Sequence, residues 1–230
     1  MKMNKKIIYI LILCNFLISN QAISTSKKNI QKIDKKQYTE LFKQARSLER
    51  SGLFDEAEII YKTILADDPV NKIAFNKIKI ILKNKNEIVL LKKLAESYSE
   101  KQSGNVTAKI NLLEVYLWSE DERWIQVANE IVNKNINNDF IIKMLLNKIL
   151  AANFEDYGLQ IIELKRQKKG KEAFYSFEMG NYYISRIDYE NSIRQFLIFL
   201  EKNPKKYNKI IEKIIAIPDY DEIQNNIKKI

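Results

Sequence analysis

The chain has 230 residues, 46% apolar and 30% charged, with a formal charge of +10, a balance that belongs to a folded chain and not to a disordered one. Histidine is absent, which removes the commonest general base and metal ligand. With a single Cys, five Gly and three Pro there is no intrachain disulfide and little material for β-turns or phosphate-cradling loops, so composition predicts an all-α protein without cofactor or metal.

In chain order, Lys2, Lys5 and Lys6 precede the apolar run "IIYILILCNFLI", and "SNQAIS" follows with Ala22 as a cleavage position. That is the layout of a secretory signal peptide over residues 1–22. The run is shorter than the roughly 20 apolar residues of a membrane span and is interrupted by Asn15. An uncleaved anchor is the alternative. Lipidation of Cys14 fits less well, because Leu11, Ile12 and Leu13 offer no small residue before it. Removal of the three lysines leaves +7 on the mature chain.

Residues 23–36 read as a basic flexible tether, and residues 37–230 as the folded part. The positive charge invites a nucleic-acid or anionic-membrane reading. No aromatic-rich basic groove accompanies it, so no nucleic acid is expected, and "SKKNIQKIDKK" and "ELKRQKKGK" read as solvated tether and loop.

The stretch "SGLFDEAEIIYKTILADDP" places Phe54, Ala57, Tyr61 and Ile64 on one helical face. The same spacing returns as Ile88, Leu91, Ala95 and Tyr98, as Trp124, Val127, Ile131 and Lys134, as Phe154, Tyr157, Ile161 and Leu164, and as Tyr189, Ser192, Phe196 and Phe199. A weaker sixth copy runs from Tyr220 through Ile223 and Ile227 to Ile230. The period is near 34, that of a two-helix repeat. A second apolar helix precedes each copy: Leu41 and Leu48, then Phe75, Ile78 and Leu82, then Leu112, Leu113 and Tyr116, then Leu145 and Ile149, then Met179 and Tyr183, and last Ile210 to Ile215. One hairpin cannot bury its apolar face alone, so neighbours must stack. The pattern predicts five to six helical hairpins in an α-solenoid, with Ala57 and Ser192 where paired helices approach closely.

At "MGNYY", Met179 to Tyr183, followed by Tyr189, Ser192, Phe196 and Pro204, the sequence resembles the tetratricopeptide repeat family; Gly52, Phe54, Ala57, Tyr61 and Pro69 match in the first copy. The resemblance departs at Leu41 and Ser176, where the family carries an aromatic, and at Ala45, where it carries Gly. Copies two to four lack the closing Pro, and uneven spacing marks an insertion near "WSEDER" and a shortening near "AANFEDY". The resemblance implies a right-handed superhelix.

Chemistry is sparse. The carboxylates of "SEDER" lack the alternating ligands and turn Gly of a calcium loop and read as a solvated turn. No Gly-x-Ser-x-Gly elbow occurs, while a Ser-Lys pair is recognised by geometry and not by spacing. A non-enzymatic protein is expected. The resemblance implies that first helices line a concave groove for a peptide or partner helix. By phase this brings in Phe42 and Arg46, then Asn76, then Glu114 and Trp118, then Lys143 and Asn147, then Phe177 and Asn181. The expectation is a secreted scaffold, periplasmic or envelope-associated, with a protein or peptide partner and no nucleic acid. A membrane-anchored structural subunit is the alternative. The apolar Ile230 end leaves self-association, docking on a partner and truncation open.

Overall fold

In the computed structural model, residues 34–168 and 170–217 are described; the signal segment 1–22, Cys14, the tether up to residue 33 and the sixth motif from Tyr220 to Ile230 lie outside them. The described residues form eleven α-helices, one 3-10 turn and no strand. The helices are α1 (Lys35–Arg50), α2 (Phe54–Asp67), α3 (Lys72–Asn84), α4 (Ile88–Glu100), α5 (Val106–Trp118) and α6 (Arg123–Asn135). They continue as α7 (Asp139–Ala151), α8 (Glu155–Arg166), α9 (Ser176–Ile184), α10 (Tyr189–Lys202), the turn Pro204–Lys206 and α11 (Tyr207–Ile215). Every hairpin that the apolar periodicity predicts within these bounds is present, and the all-α helical-repeat fold is as expected.

The chain divides within α3 into two compact units, one ending at Ile81 and the other starting at Leu82. In the first unit α1 packs on α2, with Ala45 of α1 and Ala57, Tyr61 and Ile64 of α2 all buried. The first helix starts two residues before the expected boundary at 37. Asp34 accepts from the Gln37 backbone at 2.8 Å and the Gln37 side chain accepts from the Asp34 backbone at 2.9 Å, a capping box that fixes the start.

In the second unit α5 packs on α4, α6 and α7, α7 on α8, and α9 on α10, with α11 against α10. A continuous core runs from Ile110 to Tyr183 through Trp124, Leu145 and Met179. Continuity of this kind is what stacked hairpins provide and an isolated one cannot.

The turn inside each hairpin is built the same way. Gly52, Asn86, Glu120, Asn153 and Ile187 all have φ between 52° and 77°. After each, the next residue's N–H reaches back across the helix end: Leu53 to Leu48, Glu87 to Leu82, Asp121 to Tyr116, Phe154 to Ile149 and Asp188 to Tyr183, at 2.9 to 3.2 Å. This is the left-handed helix stop that satisfies orphan carbonyls. It recurs every 33 or 34 residues, a steadier period than the apolar residues show. The turns entering α3, α5 and α7 repeat as well, with Asn71, Asn105 and Asn138 each accepting from a backbone N–H of the helix that follows.

The structure corrects the register of two copies. In α6 the fully buried small residue is Ala128, and Val127 is only half-buried. In α8 Ile161 is buried as expected, but Gly158, Ile162 and Lys165 are buried with it, whereas Leu164 is exposed and Tyr157 half-buried. Gly158 decides this, because a Cβ there would lie 2.8 Å from Leu150 Cδ2 of α7; the closest helix approach selects the residue without a side chain. Phe54 and Phe154, expected in the core, stand at helix starts and are exposed.

Interhelical rungs and clefts as the candidate functional site

In the second unit the residues expected to meet a ligand mostly bind the neighbouring first helix. Glu114 on α5 is 8% exposed and accepts from Lys148 Nζ of α7 at 2.5 Å. Asn147 on α7, exposed, accepts from the Tyr175 hydroxyl at the start of α9. Lys143 pairs with Glu178 of α9 at 2.6 Å. Phe177 is half-buried, with its ring 5.4 Å from Phe199 and with Lys209 of α11 4.4 Å above it. Trp118, also half-buried, has the Lys83 ammonium 3.7 Å over its ring. Asn181 turns inward along its own helix and donates to the Phe177 carbonyl at 2.6 Å.

These contacts act as rungs from one repeat to the next. A carboxylate that is nearly buried needs its partner, because breaking such a pair leaves an uncompensated charge. The face still offers the second half of the Asn147 amide and part of the Trp118 ring. Lys143 also lines a cleft of about 420 Å³ with Lys171, Phe174, Tyr175, Glu178 and Lys202. Tyr175 holds φ 63° at the mouth of α9, an uncommon conformation for a bulky residue. Burial raises the pKa of its hydroxyl.

The first unit carries Phe42, Arg46 and Asn76. Phe42 lies 6.2 Å from the Tyr61 ring, and Arg46 Nε donates to the Phe42 carbonyl at 3.1 Å. Arg46 lines a cleft of about 380 Å³ with Lys43, Glu49, Arg50 and Lys77. Lys77 pairs with Glu49 at 2.7 Å. Tyr61 is sealed from solvent and its hydroxyl makes no hydrogen bond of ordinary geometry; burial, then the nearby Glu49 charge, pushes its pKa up to about 12. Asn76 is half-buried on α3 and does not line this cleft.

Two stretches expected to be solvated are largely exposed, but each holds residues with structural contacts. Lys165, in "ELKRQKKGK", is 1% exposed and bonds the Ile136 carbonyl at 2.5 Å and Asp139 at 2.7 Å. Arg166 beside it donates to the Phe174 carbonyl, Ser176 and Gln195. Asp121, in "SEDER", accepts from Arg123 at 2.7 Å and Lys92 at 3.1 Å. Those cationic bonds, Arg123 first, hold its carboxyl well below the usual range. Burial, then the Glu96 hydrogen bond, pushes Tyr116 nearby up to about 12.

Among the described residues no group of three or more His, Cys, Asp and Glu is placed to hold a metal ion. No helix among them is long and apolar enough to cross a membrane. A comparison with protein-family models finds no match, and neither does one with curated proteins.

Proposed function

We propose that the protein is a non-enzymatic interaction scaffold of the cell envelope, of the tetratricopeptide type, holding a peptide or helix of a partner protein along the first helices of its hairpins. The observation that carries this reading is the alignment of α5, α7 and α9 by one-period rungs, Glu114 with Lys148 and Lys143 with Glu178. The rungs hold the exposed Asn147 amide and the half-exposed Trp118 and Phe177 rings on rigid elements. An amide that both donates and accepts suits a peptide backbone, and half-exposed aromatics are common interface anchors. The "MGNYY" step of α9 and the recurring hairpin turn agree with the family resemblance. Residues 1–22 act as a cleaved signal peptide in this reading, which places the mature chain in the periplasm or envelope.

Affinity capture after crosslinking in the source envelope tests the proposal. A small set of proteins should co-purify with the tagged chain and be lost from a Trp118→Ala, Asn147→Ala variant whose circular dichroism is unchanged. Retention of the same set in that variant would remove the first-helix face from the proposal. Intact mass of the purified chain should correspond to a start near Ile23; a full-length mass would favour the anchor.

A further inference from the structure

Antiparallel hairpins give the second unit two opposite edges. The turns inside the hairpins lie at one and the loops between hairpins at the other, about 20 Å apart along helices of 13 residues. The edges carry opposite charge. The turns read "SEDER", "NFEDY" and "IDYEN", with Glu120, Glu122 and Asp156 exposed. The loop from α10 to α11 reads "EKNPKKYNK", with Lys202, Lys205, Lys206 and Lys209 exposed, and Lys202 shares a cleft with Lys171 of the preceding loop. The one carboxylate of this stretch, Glu201, comes no closer than 3.8 Å to Lys202, a pairing of little energy. Carboxylates at the starts of α6, α8 and α10 suit the helix dipole. The lysines at the start of α11 oppose it, so local helix stability does not account for them.

A second observation is independent of charge. Ile187, at a hairpin turn, holds φ 62° with 73% of its surface in solvent. A β-branched residue is costly in this conformation, and an exposed side chain returns little to the fold, so the strain points to a contact outside the chain. The neighbouring turns join it in one surface. Arg186 donates to Asn153 at 2.8 Å and stacks 3.6 Å over the Tyr182 ring, and the exposed Phe154 lies 4.6 Å from Trp124. At the opposite edge Phe140 and Tyr207 are 69% and 57% exposed, the most exposed aromatic rings among the described residues. Each edge therefore sets apolar knobs among charges of mainly one sign.

We propose that the two edges bind each other between copies of the chain. The hairpin-turn edge of one second unit docks on the loop edge of the next, Ile187 and Phe154 packing against Tyr207 and Phe140 while Glu122 and Asp156 face Lys205 and Lys206. Charge complementarity names the occupant, since the chain itself carries both halves. Such a contact is heterologous, and its repetition builds rows of copies unless the rotation closes a ring. A strip of helix ends is small beside a stable interface, so association is weak and concentration-dependent. The overall charge of +10 works against it. Lowering positive charge at random would help copies meet, whereas loss of Lys205 and Lys206 should keep them apart.

Sedimentation equilibrium of the purified chain at low ionic strength tests this. The weight-average mass should rise with protein concentration past that of two copies, and high salt should lower it. Lys205→Gln with Lys206→Gln should weaken self-association at least about tenfold, as should Asp156→Asn with Ile187→Gly. Mixing these two variants should restore a complex that stops at two copies, because each retains one intact edge. Ile187→Gly alone should weaken association at least about threefold in a chain more stable than the native one, since glycine suits the left-handed position; misfolding cannot produce that combination. A native chain that keeps the mass of a single copy at every concentration would overturn the proposal. So would undiminished association of either paired variant, or a mixture that associates no more than its parts.

Discussion

Gly180→Ala places one methyl group at a close approach of α9 and α10. A Cβ on Gly180 would lie 2.4 Å from Phe196 Cε1 and 2.5 Å from its Cδ1, distances that atoms in real structures do not adopt. Phe196 is fully buried, with Phe177 6.1 Å away, so its ring has no open side to move into. The helices must part instead, which also stretches the 2.8 Å bond from the Ser192 hydroxyl to the Gly180 carbonyl. Overpacking of this kind costs about 1–3 kcal/mol and the hydrogen bond about 1 kcal/mol, while the better helix propensity of Ala returns about 1 kcal/mol. The net expectation is a loss of about 1–3 kcal/mol, or a drop of about 2–4 °C in Tm for each kcal/mol in a chain of this size. Urea unfolding followed by hydrogen exchange should place the loss in α9 and α10, since repeat proteins need not unfold as one unit. Phe196→Leu added to Gly180→Ala should recover part of it. A Gly180→Ala chain as stable as the native one, or more stable, would refute the close approach. Gly158→Ala is the milder comparison, because its 2.8 Å neighbour is the tip of Leu150, which has rotamers to use.

Ile187 is a β-branched residue at φ 62° with 73% of its surface in solvent, so Ile187→Gly should stabilise by about 0.5–1 kcal/mol; the reverse change, Gly52→Ile at φ 77°, should destabilise, and thermal melts of both decide it. Lys148→Met takes the Lys148 ammonium away from the nearly buried Glu114 carboxylate and should cost about 2 kcal/mol in urea unfolding, with Glu114→Gln in the same chain restoring part of it. Asp121 has a depressed folded-state pKa, so its contribution is complete above the unfolded carboxylate value near about 4 and is lost as pH falls through the folded value. Asp121→Asn should therefore be less stable than the native chain at pH 7, with the gap closing as the pH falls below about 4; a gap that stays constant between these pH values would show that Asp121 gains nothing from Arg123 and Lys92.

The hairpins were legible because burial on a helix imposes spacings of three and four, which Tyr61, Leu91, Ile131 and Phe196 display openly. The turns were not, although they keep the better period. Their left-handed position is occupied by Gly52, Asn86, Glu120, Asn153 and Ile187, and only the glycine and asparagines announce that conformation. At Glu120 and Ile187 hairpin closure overrides residue preference. The recurring caps Asn71, Asn105 and Asn138 were visible in hindsight at nearly one period, but their signal is a single polar residue against a background rich in Asn.

The candidate site was legible as a face and not as a set of free groups. Glu114, Lys143 and Asn147 were placed on first helices from phase alone, and that is where they sit. Their partners Lys148, Glu178 and Tyr175 lie about one repeat away in sequence, so only stacking brings each pair together. Lys165 was unreadable for a related reason: its burial depends on the Ile136 carbonyl and on Asp139, and a charged residue in a Lys-rich run gives no local sign of such partners.

The central claim is that a partner protein lies against the first helices, and site-specific photocrosslinking tests it most directly. A benzophenone amino acid is placed singly at Trp118 and Asn147, on α5 and α7, and at Val89 and Leu164, exposed on α4 and α8, in the full chain expressed in its source cells. The account predicts adducts of one discrete mass from Trp118 and Asn147 and none from Val89 and Leu164. Adducts from Val89 and Leu164 alone would contradict it and move the binding surface to the second helices.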